Sequence, residues 1–387
     1  MLGNPPNRNR ALDGLRGVAI LWVIGYHLFG CPPVHPAIEA VPGLGPLLSF
    51  GWLGVVIFFV LSGYLITSQL VQARGRPGYW RHFLVKRAAR ILPAYALLLL
   101  SLPVAAAVWP ADRAGIVFND QVPWASHFML VQNFFMTGSG YLGNEWLRPT
   151  WSLAVEVQYY VFIALFVALC PPRLLRPGLA LLALGAVVIR FWMAAYLANP
   201  EASMMVLAVA RMDSFALGGL VALLPAGAWS RRRAAAWAGI AGAGGALFVL
   251  YALGGFGSFT HAMQPVYYTF VSVAVAALAG LLGRGTWPSS WLGGSWLVAA
   301  GRYSYFLYLF HMPLVWICHE WLHQAAPRAD TNAGLLTSAA SVAVTWLLAW
   351  AAWRWMEAPA IAAGHRWATG GKGAATSGGR DAPGTAD

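Results

Sequence analysis

Apolar stretches alternate with short polar connections along almost the entire chain. They fall near residues 14–30, 47–70, 90–109, 153–170, 178–198, 203–224, 234–253, 264–283, 297–319 and 335–356. As helices rising about 1.5 Å per residue, stretches of this kind cross a hydrocarbon core of roughly 30 Å. The pattern predicts an all-α integral membrane protein of about ten transmembrane helices. The first stretch follows Arg8, Arg10 and Arg16, as a signal peptide would, but no small-x-small cleavage site comes after it. It is expected to remain as the first span.

Composition agrees with lipid as the solvent. Hydrophobic residues make up 59% of the 387 and charged residues 10%, against about 25% charged in soluble domains. The formal net charge of +12 would suit nucleic acid if it lay on one folded face. Instead, 20 of the 25 basic residues fall on alternate connections and the chain ends. The opposite connections hold only Arg113, Arg148 and Arg328, while Arg190 and Arg211 lie within apolar stretches. This alternation predicts cytoplasmic N- and C-termini and a multi-pass protein of the cell membrane. It removes nucleic acid as a partner. The three cysteines lack C-x-x-C spacing, so neither a disulfide framework nor a thiolate metal site is expected. Residues 1–364 read as one transmembrane domain. Residues 365–387, rich in Gly, Ala, Ser and Thr, read as a disordered cytoplasmic tail.

Ionisable side chains at bilayer depth usually mark function. Arg16 and His27 are eleven residues apart, which on a helix is nearly the same face and about 16 Å of depth. On spacing alone, His27 is either a site residue or a neutral histidine bonded to backbone. In the fourth stretch Ser152, Glu156, Tyr159 and Tyr160 share a face. A buried Glu156 needs a partner, and Arg190, Arg211 and His27 are candidates. Arg190, Arg211 and Asp213 also suit a structural ion-pair network, which is the favoured reading for them. His311 sits near the middle of the ninth stretch. Before the third stretch, Lys86-Arg87-Ala88-Ala89-Arg90-Ile91-Leu92-Pro93 crowds cations beyond what topology requires and suits a phosphorylated ligand.

Taken in order, these segments resemble the acyltransferase-3 family of membrane-bound O-acyltransferases. The matching residues are Arg10-Ala11-Leu12-Asp13-Gly14-Leu15-Arg16-Gly17 with His27, then Phe58-Phe59-Val60-Leu61-Ser62-Gly63-Tyr64, then the Lys86–Pro93 run. Trp151-Ser152-Leu153 with Glu156, Tyr159 and Tyr160 follows, then Arg211 with Ser214, Phe215 and Gly218, and finally Tyr303-Ser304 with Leu307, Tyr308, His311 and Pro313. Tyr159 and Val60 are mild departures from the family pattern.

The resemblance implies transfer of an acyl group, usually acetyl, from cytoplasmic acyl-CoA to a hydroxyl of a carbohydrate or exported metabolite. No permanently bound cofactor or metal is implied; acetyl-CoA would be a co-substrate. His27 and Glu156 are then the expected catalytic residues, His27 as general base. Arg16, Lys86, Arg87 and Arg90 are expected on the donor, and Trp151, Ser152, Tyr160, Arg211 and His311 on the acceptor. Two rivals stand beside this reading. His319-Glu320-Trp321-Leu322-His323 satisfies H-E-x-x-H, but Asp13, its plausible third ligand, should lie about 30 Å away across the bilayer. A transporter of a small polar solute also fits many spans with buried charge, although inverted repeats and paired broken helices are not visible.

Overall fold

The computed structural model describes residues 9–30, 33–118, 121–137, 142–252, 259–285 and 290–368. The expected tail from residue 369 onward and parts of the 110–150 connection lie outside them. Among the described residues the regular structure is entirely helical. The first half contains α1 (Arg10–Gly25), the short α2 (Pro36–Glu39) and α3 (Leu44–Ser49), then α4 (Gly54–Ala73), α5 (Tyr79–Val108), and the short α6 (Ala111–Phe118) and α7 (Trp124–Phe128). The middle contains α8 (Thr150–Leu169), α9 (Leu175–Tyr196), α10 (Pro200–Val206), α11 (Ala208–Ala222) and α12 (Arg231–Ala252). The chain closes with α13 (Phe259–Gly283), α14 (Ser295–His323), α15 (Asn332–Ala352) and α16 (Ala358–Ala368).

Seven helical stretches are long and apolar enough to cross a membrane, and eight if α10 and α11, bent by 43°, form one span. The chain is thus a multi-pass membrane protein. Each of the ten expected stretches lies on a helix, but α12 and α14 are not among the seven. For α14 the reason is local. Arg302, Tyr303, Ser304, Tyr305, Tyr308 and His311 interrupt its apolar run, and several of them build the site described below.

Small residues set how closely the helices approach, as expected where lipid offers no hydrophobic drive between them. α1 runs along α14; a Cβ on Gly17 would overlap the Leu297 carbonyl, and one on Gly301 the Asp13 carbonyl. α1 starts where Asn9 caps it, its side chain accepting from the backbone N–H of Ala11 at 3.0 Å and Leu12 at 3.2 Å. α4 lies against α11 in the same fashion, with Gly63 on the Phe215 carbonyl and Gly218 on the Val60 carbonyl. The two helix pairs bring the polar faces of α1, α4, α8 and α14 towards one another. Leu197 through Leu223, with α9 and α13 packed on α11, form the flank.

Two helices contain π turns, which hold one more residue than an α turn and often occur at functional sites. Tyr26–Gly30 extends α1, and Trp353–Glu357 joins α15 to α16. α16 then folds back onto the first turns of α5.

Candidate active site

The first π turn carries His27. Its imidazole lies beside that of His311, with ring centroids 5.0 Å apart. His311 Nδ1 is 2.8 Å from the Tyr308 carbonyl oxygen and 3.1 Å from that of Leu307. A carbonyl only accepts, so Nδ1 carries the proton, and in the neutral ring Nε2 is the acceptor. That Nε2 is 3.1 Å from His27 Nδ1, which therefore donates. His27 Nε2 is left with its lone pair. His311, expected on the acceptor, thus bonds to the His27 ring, which also meets the Val23 backbone.

His27 lines a cavity of about 670 Å³ at the end of the bundle reached by the C-terminal end of α1. Tyr26, Trp52, Trp151, Tyr267, Tyr268 and Tyr308 supply its aromatic walls, and Arg148 and Glu201 its charged edge. In the connection before α8, Glu145 pairs with Arg148. Burial pushes the Glu145 carboxyl up, and the Arg148 guanidinium beside it opposes that rise.

Tyr308 and Val55 are shared with a second, narrow cavity of about 50 Å³, lined also by Arg16, Phe58, Phe59, Ser152, Glu156, Ser304 and Tyr305. Ser152 Oγ and Tyr308 Oη are 2.7 Å apart, and the Tyr308 hydroxyl reaches the Pro149 carbonyl at 3.0 Å. Glu156 accepts from the Ser62 hydroxyl and, at 2.7 Å, from the Tyr160 hydroxyl. Neither the His27 ring nor Arg190 nor Arg211 bonds to it among the contacts of the described residues. Arg16 faces the same slot, within electrostatic range of both Glu156 and Arg90. The eleven-residue stripe therefore connects two cavities rather than lining one, because its two ends are about 16 Å apart along the helix.

A third cavity, of about 470 Å³, opens where α4 turns into α5 and α16 lies across them. Arg76, His82, Lys86, Arg87, Arg90 and His365 line it with Gln69 and Tyr79. Arg87 donates to Gln69 Oε1 at 2.8 Å and lies over the Tyr160 ring at 5.5 Å. Tyr160 thus joins this basic cavity to the Glu156 slot. A continuous polar line results: basic cavity, Arg87, Tyr160, Glu156 and Arg16, then Tyr308, then His27.

The remaining expected residues separate cleanly. Trp151 is on the His27 cavity wall and Ser152 in the slot. Tyr159, on the face counted with Glu156, turns into the core, where it stacks on Phe215 at 4.1 Å and meets Thr67 Oγ1 at 3.2 Å. Arg211 lies behind the cavity wall, its guanidinium 3.8 Å from the centre of the Tyr268 ring that faces the cavity. Arg190 pairs with Asp213 at 2.8 Å and donates further to Thr269, to the Pro265 carbonyl and to the Ala210 carbonyl. His319 and His323 engage Ser338 at 3.0 Å and Thr337 at 2.7 Å, tying α14 to α15. Ser62, Tyr305 and Tyr308 lie inside motifs visible in the sequence, yet their spacing assigned them no partner. Arg76, His82 and His365 carried no signal beyond their charge.

Fold and site together define a multi-pass helical membrane protein with a histidine pair at a large cavity, joined by a polar line to a basic one. The acyltransferase domain model of the acyltransferase-3 family matches residues 9–354, and the chain belongs to that family. A Bacillus subtilis protein named "Putative peptidoglycan O-acetyltransferase YrhL" is 33% identical over 165 residues, 40% of this chain and 23% of that protein. A Staphylococcus aureus protein named "Putative O-acetyltransferase SACOL0978" is 31% identical over 163 residues, 39% of this chain and 23% of its own length. The Komagataeibacter xylinus protein named "Putative membrane-bound transacylase BcsY" is 33% identical over 176 residues, 43% of this chain and 39% of its own. The matched segments thus span well under half of these relatives. No solved structure matches the chain.

Proposed function

We propose that the protein transfers a short acyl group, acetyl, from cytoplasmic acyl-CoA to a hydroxyl of a carbohydrate or of a glycosylated or polyketide acceptor. The observation that carries this reading is the hydrogen-bond chain from the Tyr308 carbonyl through His311 to His27. It leaves a lone pair on the ring that lines the largest of the three cavities, where a general base needs one.

The acceptor enters the His27 cavity and gives its hydroxyl proton to His27 Nε2 as its oxygen attacks the thioester carbonyl. The new C–O bond forms, the C–S bond breaks, and the departing thiolate takes the proton from the imidazolium. CoA leaves as a free thiol and the acceptor as an ester. The phosphates of the donor occupy the basic cavity on Lys86, Arg87 and Arg90, and its acyl end points past Arg16 towards Tyr308. The slot of about 50 Å³ favours a two-carbon acyl group over a long chain. Glu156 orders the slot through Ser62 and Tyr160. Ten spans with both termini in the cytoplasm belong to the same proposal, since they put the basic cavity on the side where acyl-CoA is made. The large cavity then faces the outer side. The names of the relatives, one of them that of a putative peptidoglycan O-acetyltransferase, support a cell-surface acceptor.

Purified protein is supplied with acetyl-labelled acetyl-CoA and a cell-envelope carbohydrate fraction. Alkali-labile label in the carbohydrate is expected, and His27→Ala should lower its formation by about 10²–10⁴-fold while the variant still accumulates in the membrane. Near-normal turnover by that variant removes His27 from the mechanism. Movement of solute without any ester product returns the transporter.

A further inference from the structure

The basic cavity has a wall that no acyl-transfer step so far requires. Only the last four residues of α16 belong to the segment that composition assigns to a loose tail, and there the helix continues to Ala368 and lies on α5. Two features hold it there. Gly364 is buried so tightly that a Cβ would stand 2.5 Å from the Ala89 Cβ, so any larger residue pushes the helix away. One turn further, Arg81 stacks over the Trp367 ring at 5.0 Å and donates to the Trp367 carbonyl at 2.8 Å. With α16 docked, Ile361 and His365, four residues apart and so on one face, look into the cavity.

The cations around the cavity are arranged by depth. Arg90 and Arg87 are innermost, adjoining Arg16 and Tyr160. His82 lies two turns nearer the start of α5 than Arg90, about 12 Å further out, and Arg76 belongs to the turn before it. His365 is at the outer level too, because α16 runs antiparallel to α5, Gly364 meeting Ala89 and Trp367 meeting Arg81. His82 Nδ1 donates to the Gly78 carbonyl at 2.7 Å, so only its Nε2 remains for a ligand. A donor whose thioester must reach the slot enters with that end inward. Its outermost anion is then the phosphate monoester on the ribose, which carries more charge per phosphorus than the pyrophosphate nearer the thioester.

We propose that α16 is the outer wall of the donor cavity and that His365, with Arg76 and His82, recognises the ribose phosphate monoester of CoA. The inference rests on the acyl-CoA reading above and adds its specificity-determining residue. A lipid phosphate headgroup shares the same chemistry, and the choice of bilayer in the experiment separates the two.

The probes are acetyl-CoA and acetyl-3′-dephospho-CoA, with full-length protein in nanodiscs of phosphatidylcholine alone or with added phosphatidylglycerol. The wild type is expected to show a KM about tenfold higher for the dephospho donor. His365→Ala should raise the acetyl-CoA KM about tenfold, leave kcat and the acceptor KM within twofold, and erase the difference between the two donors. His365→Lys should restore it. Gly364→Val, which touches no ligand, should reproduce the His365→Ala pattern with its melting temperature within a few degrees of wild type; if it unfolds, the two His365 variants decide alone. Equal KM values for both donors in the wild type, or an unchanged donor KM in His365→Ala, overturn the role of α16 while leaving acyl-CoA as donor. A His365→Ala defect present only with phosphatidylglycerol assigns the cations to lipid and also overturns it. If the wild type makes no ester from acetyl-CoA, the donor reading itself falls, and the inference with it.

Discussion

Two clusters of charge within this bundle differ in how completely their hydrogen bonds are used. In the first, Arg190, Asp213 and Thr269 close on themselves. Arg190 spends its guanidinium on Asp213, Thr269 and two backbone carbonyls, and Thr269 donates to Asp213 Oδ2 at 2.6 Å. Arg190 and Asp213 are both fully buried and line none of the three cavities. In the second, Arg16 and Glu156 face a small cavity. Glu156 is held by two hydroxyls on one oxygen, Ser62 and Tyr160, and the Nε of Arg16 has no hydrogen-bond partner among the described residues. Buried charge alone therefore does not separate architecture from chemistry. A closed network stabilises helix packing; an open one keeps bonding capacity for a ligand.

The sharpest test of the difference is Asp213→Asn. Breaking a buried pair and leaving Arg190 uncompensated should cost about 3–5 kcal/mol. Donor binding and product formation should fall together, with a lowered melting temperature. A stable Asp213→Asn protein that binds acetyl-CoA but makes no product would move this network into the active site.

Glu156→Gln probes the other side of the comparison. It keeps the shape and an accepting oxygen but loses the charge, worth about 1.5–3 kcal/mol per charge-assisted bond. Product formation should fall about tenfold to a hundredfold, with acetyl-CoA binding and melting temperature retained on the same preparation. Loss of binding and a lowered melting temperature would make the slot a second structural network.

The smallest effect is expected at the open end of the polar line. Arg87→Ala should raise the donor KM about tenfold and leave the acceptor KM unchanged. Because the basic cavity opens to solvent, the effect should shrink as salt rises towards molar concentrations. A donor KM indifferent to both the mutation and salt would leave Arg87 with only a topological role.

Much of this was legible along the chain because helix phase and length are local properties. The apolar stretches located the long helices, and the i, i+4 rule put Ser152, Glu156 and Tyr160 on one face, where the slot and its Tyr160 neighbour lie. It failed for Tyr159, one residue earlier, because the close fit of α4 on α11 at Gly63 and Gly218 places Phe215 where that ring stacks. The eleven-residue step from Arg16 to His27 is α-helical as far as Gly25, whereas the π turn that begins at Tyr26 has no counterpart in that count.

What the sequence determined by itself is the solvent, the helices, the family and the residue types available for proton transfer and phosphate binding. Each follows from composition, periodicity or order along one strand of covalent chain. Which of those residues meet was decided only by tertiary packing. The rotation of each helix about its axis, set by contacts such as Gly17 on Leu297 and Gly301 on Asp13, put His311 against His27, 284 positions away. The same kind of contact, Gly364 on Ala89, brought His365 to the basic cavity. No local pattern encodes a rotation angle between helices, because it depends on the shape of both surfaces at once.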